Sequence, residues 1–381
     1  MKVAIVHDWL LGMRGGERCL EVFLQMFPEA DLFTAFYNPK EVSEIIRNKE
    51  VKTSILQKIP GAANFHRYLL PLYPLASRSI SAQICKKDYD LVISISHCLA
   101  KNIIAPKGAF HLCYCLTPVR YIWDQYDSYF SNKWYEPIVR AFAGRLRRWD
   151  VAGAKGVNCF VGISEYVSKR IKKVYDRESK VIYPPVRTDW IKPRKKDFAG
   201  KDFLCVSALV PYKRVDSIVE AFNKLPYTLT IVGDGPERAA IAKIAGANIK
   251  LLGKVSDKRL AELYQQSRAL IFAAEEDFGM VPVEMQAAGR PVICLKKGGA
   301  LETVVGGGEF KTGLFFDSLS PESISKAVEQ FSVLEQEFTV DNCLNYSANF
   351  SESNFTSKFW NLLDEVGVLK SADVKKTLAI I

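Results

Sequence analysis

Between Arg268 and Leu295 the chain runs through an apolar stretch, an acidic cluster, a short helical pattern and a second apolar stretch. The first stretch, Arg268-Ala-Leu-Ile-Phe-Ala273, has the length and character of a strand buried on both faces of a parallel sheet. Glu275, Glu276 and Asp277 follow, then Phe278-Gly279. Pro282 suits the first turn of a helix and Gly289 suits its C-terminal end. Pro291-Val-Ile-Cys-Leu295 reads as the next strand. In an open α/β sheet a loop so placed lies at the carboxyl edge of the strands, where ligands bind. The helix start offers backbone N–H groups at Gly279, Met280 and Val281 as an anion site. Glu276 and Glu284 stand eight positions apart, one before the helix and one expected in its first turn, so both can face one bound molecule. Acids at that spacing also occur on ordinary solvated helix faces.

The rest of the chain repeats the strand–helix alternation, which predicts an α/β fold with parallel sheets. Val3–Val6 is the first strand, and a periodic helix reaches Phe27. Gly15-Gly16 between them lets backbone approach a ligand at a helix N-terminus, or simply forms a tight turn. Asp90–Ser96 is a strand with His97 just past its end, a residue that either touches substrate or is a satisfied loop histidine. Ala109–Leu116 is another strand. From Tyr114 to Trp149 ten aromatics are interleaved with Arg120, Lys133, Arg140, Arg145, Arg147 and Arg148. Such a surface suits a membrane interface or a sugar-phosphate acceptor, and packing of helices on the sheet explains it equally well. Arg120, Tyr121 and Trp123 are the acceptor-side candidates. Val181–Val186 reads as an extended strand and crossover, and residues 187–201 as a linker. Strands at Phe203–Leu209, Leu229–Val232 and Ile249–Leu252 begin the second half, with Ser256 or Asp257 capping a helix. The resulting division is 1–190, 191–345 and terminal helices over 346–381.

Length, 381 residues, fits two domains. No apolar run approaches the roughly 20 residues that span a bilayer. Met1–Asp8 is too short and too soon charged for a signal peptide. Nine scattered cysteines without a C-x-x-C pair, and four dispersed histidines, indicate neither a disulfide framework nor a zinc site, so a cytoplasmic location is expected. Net charge is +10, all of it in the first half: residues 1–190 hold 28 Lys/Arg against 18 Asp/Glu, and residues 191–381 hold 24 of each. The first domain is therefore expected to meet something anionic, such as lipid headgroups or a phosphate-bearing substrate. A nucleic-acid partner is not expected, because the second half is neutral.

The string E-D-F-G-x-V-P-x-E-x-x-A-x-G at 276–289 resembles the donor-sugar site of the retaining GT-B glycosyltransferases of glycosyltransferase family 4. Three further strings are similar to the subgroup with O-antigen and exopolysaccharide mannosyltransferases: His7-Asp-Trp-Leu with Gly12-Met-Arg-Gly-Gly-Glu17, the Tyr114–Asp124 segment around Thr117-Pro118, and Val181–Val186. The resemblance implies two Rossmann-like doubly wound domains facing a cleft, with the last helix crossing back to the first domain. It implies transfer of a hexose, mannose from GDP-mannose, to a lipid-linked or polysaccharide acceptor at the inner membrane leaflet. A UDP-sugar donor, or a catalytically weak nucleotide-sugar binder, is the alternative. By the same resemblance Glu276 holds the sugar and Glu284 the ribose. Phe278, Gly279, Met280 and Val281 belong to the diphosphate loop, and Gly15 and Gly16 face the diphosphate from the first domain. Val255 meets the base, and Lys213 with Arg214 supplies positive charge. By the same resemblance neither metal nor cofactor is expected. Two positions depart from the family pattern: Ser207-Ala208 stands where Gly-Arg is usual, and Leu116 where a histidine is common. His97 is then the imidazole candidate near the reacting centre.

Overall fold

The computed structural model describes residues 1–120, 122–123, 136–193 and 202–369. Among these, strands form a seven-stranded and a six-stranded sheet, and every pairing is parallel. The fold is α/β, with two Rossmann-like units.

The first sheet contains β1 (Val3–His7), β2 (Asp31–Thr34), β3 (Val51–Thr53), β4 (Leu91–Ser96), β5 (Phe110–Cys115), β6 (Cys159–Gly162) and β7 (Ser179–Val181). Their order is β3-β2-β1-β4-β5-β6-β7. The second contains β8 (Asp202–Val206), β9 (Thr228–Val232), β10 (Ile249–Gly253), β11 (Leu270–Phe272), β12 (Val292–Leu295) and β13 (Gly313–Phe316), in the order β10-β9-β8-β11-β12-β13. β1, β4, β11 and β12 are buried along their whole length, as continuous apolar runs with helices on both faces should be. Each sheet reverses its winding beside its first strand, between β1 and β4 and between β8 and β11. Loops leaving the two strands at such a point diverge and open a crevice at the carboxyl edge.

Contacts divide the chain into Met1–Pro185 with the segment from Phe355, and Val186–Asn354. The terminal helix Glu352–Glu365 belongs mainly to the first unit. There Phe359 meets Phe23 at 4.8 Å between ring centroids, Trp360 meets Phe27 at 5.0 Å and Phe355 meets Tyr114 at 5.6 Å. The helix Val340–Ser347 stays with the second unit, as do Trp190 and Ile191, which pack into its core.

A buried polar knot holds the first unit's loops. Lys101 Nζ lies 2.6 Å from Asp150 Oδ1, while Trp123 Nε1 and Tyr175 Oη donate to Asp150 Oδ2 at 2.8 and 3.0 Å. It fixes the turn after β4 against the helices Glu136–Ala154 and Glu165–Tyr175.

Two local readings are corrected, and one stated alternative is decided. The strand expected over 181–186 is Ser179–Val181, because Pro184 and Pro185 have no N–H to extend the ladder. Ser256, not Asp257, caps the following helix, accepting from the Arg259 N–H at 3.3 Å. Glu284 is the fifth residue of the helix Met280–Ala287 and so lies in its second turn.

Candidate functional site

In the second unit, the loops after β8 and β11 bring Lys213 and Glu276 together as an ion pair at the switch point. Both side chains remain partly accessible, 13% and 24%. Lys213 closes a short 3-10 turn, Pro211–Lys213, and Arg214 then enters the left-handed region at φ 52° before the helix Val215–Phe222 begins. That reversal separates the two cations. Lys213 meets Glu276, whereas the Arg214 guanidinium donates to Ser217 Oγ at 2.7 Å and Asp216 Oδ1 at 3.2 Å on its own helix.

The acidic loop is held from below. The Gly299 N–H donates to the Glu276 carbonyl at 2.8 Å. A Cβ on Gly298 would lie 2.5 Å from that same carbonyl, and one on Gly299 would overlap the Phe278 backbone, so only glycine fits under the loop. Gly279, at φ 93°, turns the chain into the helix Met280–Ala287. Met280 and Val281 form its first turn, where N–H groups lack intrahelical partners and the helix dipole favours an anion. Phe278 is buried against Phe350, with ring centroids 5.4 Å apart. Val255, in the loop after β10, and Val281, in the first turn of this helix, both pack against one apolar cluster of the second unit.

Glu284 is held by a residue that sequence reasoning missed. The fully buried Tyr264 donates its hydroxyl to Glu284 Oε2 at 2.7 Å. Burial, reinforced by the Glu284 charge, pushes the Tyr264 pKa well above 10, so the phenol stays a donor. Glu276, Phe278, Gly279, Met280, Val281, Glu284, Lys213 and Val255 therefore gather around one edge of this unit, and Arg214 is turned to its own helix.

In the first unit, Gly15 and Gly16 open the helix Gly15–Met26. Glu17 caps it by accepting from the Arg14 N–H at 3.0 Å. A Cβ on Gly16 would lie 2.7 Å from Leu116 Cδ1 and 3.3 Å from His7 Nε2, so Leu116 fills the space in front of the glycine. His97 sits just past β4 with Nδ1 2.9 Å from Asp8 Oδ2. Asp8 is a second residue that sequence reasoning missed. Arg120 is half-buried, and Tyr121 lies outside the described residues. Trp123 is engaged by Asp150 through its N–H and by the Arg147 guanidinium 5.4 Å from its ring. Among the described residues no three His, Cys, Asp or Glu side chains group as a metal site, and no helix is long and apolar enough to cross a membrane.

Residues 186–349 match the family model of glycosyl transferases group 1. The match takes in Lys213, the acidic loop and Glu284, and leaves the first unit outside it. The chain is similar to an uncharacterized glycosyltransferase of Methanocaldococcus jannaschii, 28% identical over 44% of this chain and 47% of that protein. It is similar to a GDP-mannose-dependent alpha-(1-6)-phosphatidylinositol monomannoside mannosyltransferase of Mycobacterium tuberculosis, 29% identical over 52% and 56%. The chain thus spans about half the length of these two relatives. Among solved structures, HepE of Anabaena in complex with UDP superimposes with a TM-score of 0.71 at 18% identity, covering 96% of this chain and 100% of that one. At that identity the likeness concerns the fold, which is GT-B.

Proposed function

We propose that this chain is a glycosyltransferase that moves a hexose from a nucleotide sugar, GDP-mannose first, to a lipid-linked or polysaccharide acceptor in surface-glycan synthesis. The observation that carries the reading is the Lys213–Glu276 pair at the second unit's switch point, beside the helix start Gly279–Val281. Negative charge grows on the departing diphosphate as the sugar–phosphate bond breaks. Lys213 and the N–H groups of Gly279, Met280 and Val281 supply fixed positive potential there. Glu276 is released to the sugar hydroxyls when phosphate takes Lys213 from it. Glu284, oriented by Tyr264, accepts from the ribose hydroxyls. The proposed reaction needs no metal and retains the configuration at the anomeric carbon. Undiminished transfer in EDTA and retention by NMR of the product would support both points. The mannosyltransferase relative from Mycobacterium tuberculosis supports GDP-mannose; the UDP complex of the Anabaena structure favours a UDP-sugar as the second reading.

A cytoplasmic protein resting on the inner leaflet is proposed for the first unit, with no nucleic-acid partner. Support comes from residues 51–87, which contain six Lys/Arg and no acid. Within them Ile55, Tyr68, Leu72 and Leu75 stand exposed, an amphipathic combination suited to an anionic lipid surface.

The experiment is a thermal-shift screen with GDP, UDP and ADP, followed by transfer with the matching sugar. One nucleotide should raise Tm above the other two, by mass action on the folded state. No stabilisation by any of the three would overturn the reading.

A further inference from the structure

The switch point of the first sheet carries a side-chain pair of its own. The Asp8 carboxylate is wholly buried and accepts the N–H groups of His97 at 2.5 Å and of Leu99 and Ala100 at 2.6 Å. Those three bonds already close the turn after β4. A fourth contact, to His97 Nδ1 at 2.9 Å, is not needed for that turn. A carboxylate so placed only accepts, so Nδ1 carries the proton. The Trp9 ring stands edge-on to the imidazole, 4.5 Å between centroids, and restricts its rotation. The side chain is 22% exposed, and no hydrogen bond from Nε2 occurs among the described residues. His7, whose ring centroid is 6.4 Å away, donates Nδ1–H to the Trp9 carbonyl at 3.0 Å. Its Nε2 is buried beside Gly16 without a partner.

We propose that Asp8 is a positioning residue for His97: it fixes the imidazole so that Nε2–H is presented at the carboxyl edge of the first sheet as a cationic donor to an anionic oxygen. That the oxygen belongs to the nucleotide sugar's diphosphate rests on the glycosyltransferase reading; the Asp8–His97 pairing does not.

The surroundings agree. Burial alone lowers the His97 pKa, but the Asp8 charge and hydrogen bond outweigh it, Glu17 adds to them and Arg14 opposes, leaving the pKa above 6.5. His7 and His66 also face this corner, and burial lowers both of their pKa values, so they add little competing charge at neutral pH. Below the elevated pKa Nε2 is a donor; as pH rises through it Nε2 becomes an acceptor and repels an anionic oxygen.

The test is an NMR titration of the His97 ring in the full chain, assigned with His97→Gln. The wild-type midpoint should exceed 6.5, rise further with GDP or UDP, whichever binds, and fall by at least one pH unit in Asp8→Asn. A wild-type midpoint at or below 6.5 overturns the pairing without any variant having to fold. A midpoint indifferent to the bound nucleotide overturns the donor role. In transfer assays kcat/KM should decline through the same midpoint, and the decline should move to lower pH in Asp8→Asn. In His97→Gln the decline should vanish and the rate fall on the order of 10- to 100-fold. An unchanged profile in folded Asp8→Asn overturns the positioning role. Titration as expected with no sugar transfer at any pH upholds the pairing and rejects the glycosyltransferase reading.

Discussion

Glu276 is held twice, through its carbonyl by Gly299 and through its carboxylate by Lys213. Glu276→Ala keeps the first hold and loses the second. Transfer should fall below detection while Tm changes by no more than about 4 °C, since a partly exposed ion pair is worth about 1 kcal/mol or less. Normal turnover by that variant would remove Glu276 from the site. Tyr264→Phe leaves Glu284 in place without its donor. The lost bond is worth about 1 kcal/mol, so donor KM should rise roughly fivefold with kcat little changed. Steady-state kinetics at fixed acceptor check this. Legibility at this scale depends on sequence distance. Lys213 and Glu276 each follow an apolar run that reads as a strand, and their types suit phosphate and sugar. Asp8 is 89 to 92 positions from the backbone N–H groups it accepts, and Tyr264 is 20 from Glu284. Nothing local marks either as a partner; only strand order and helix packing bring them into contact.

The acidic loop works as an element because the turn after β12 supports it. Gly299→Ala puts a methyl group into the Phe278 backbone, so the loop must shift or the turn must open. A loss of a few kcal/mol and weakened nucleotide binding should appear together in thermal shift. A variant that binds normally at unchanged Tm would show that the turn does not support the loop. Elements buried on both faces, such as β1, β4, β11 and β12, are readable because continuous apolar runs bounded by polar loops leave few alternatives. β3 and β7 are three residues long and lie at sheet edges, where neither hydrophobic periodicity nor length distinguishes them from loop. The helix pattern around Pro282 places the helix itself, but its first residue follows from the backbone of Gly279.

At the scale of the molecule, charge makes stability depend on pH. Burial raises the Asp8 pKa, but the His97 charge and bonds outweigh it and bring it to about 2, against 3.8 for an ordinary aspartate. Its contribution, about 2 kcal/mol, is fully present above pH 3.8 and is lost as pH falls through about 2. His97 has the opposite sign: its contribution is present below 6.5 and lost as pH rises through its elevated pKa. Denaturant unfolding from pH 2 to 8 should show both losses in the wild type and neither in Asp8→Ala. The basic, acid-free stretch over 51–87 should bind vesicles containing anionic lipid and release them as salt rises from about 0.05 to 0.5 M. Sedimentation with purely zwitterionic vesicles is the control, and equal binding to both would reject a charge-led surface.

Phe355, Phe359 and Trp360 complete the packing around Phe23, Phe27 and Tyr114. On the ribosome, the unit made first is therefore the last to be finished. At about 5–20 residues per second the aromatics of its first helix wait roughly 15–65 s for the late helix, time enough for the intervening unit to fold. A chain stalled before Phe355 would carry a completed second unit behind an unfinished first one, and that exposed aromatic face is where a chaperone would be expected to hold it.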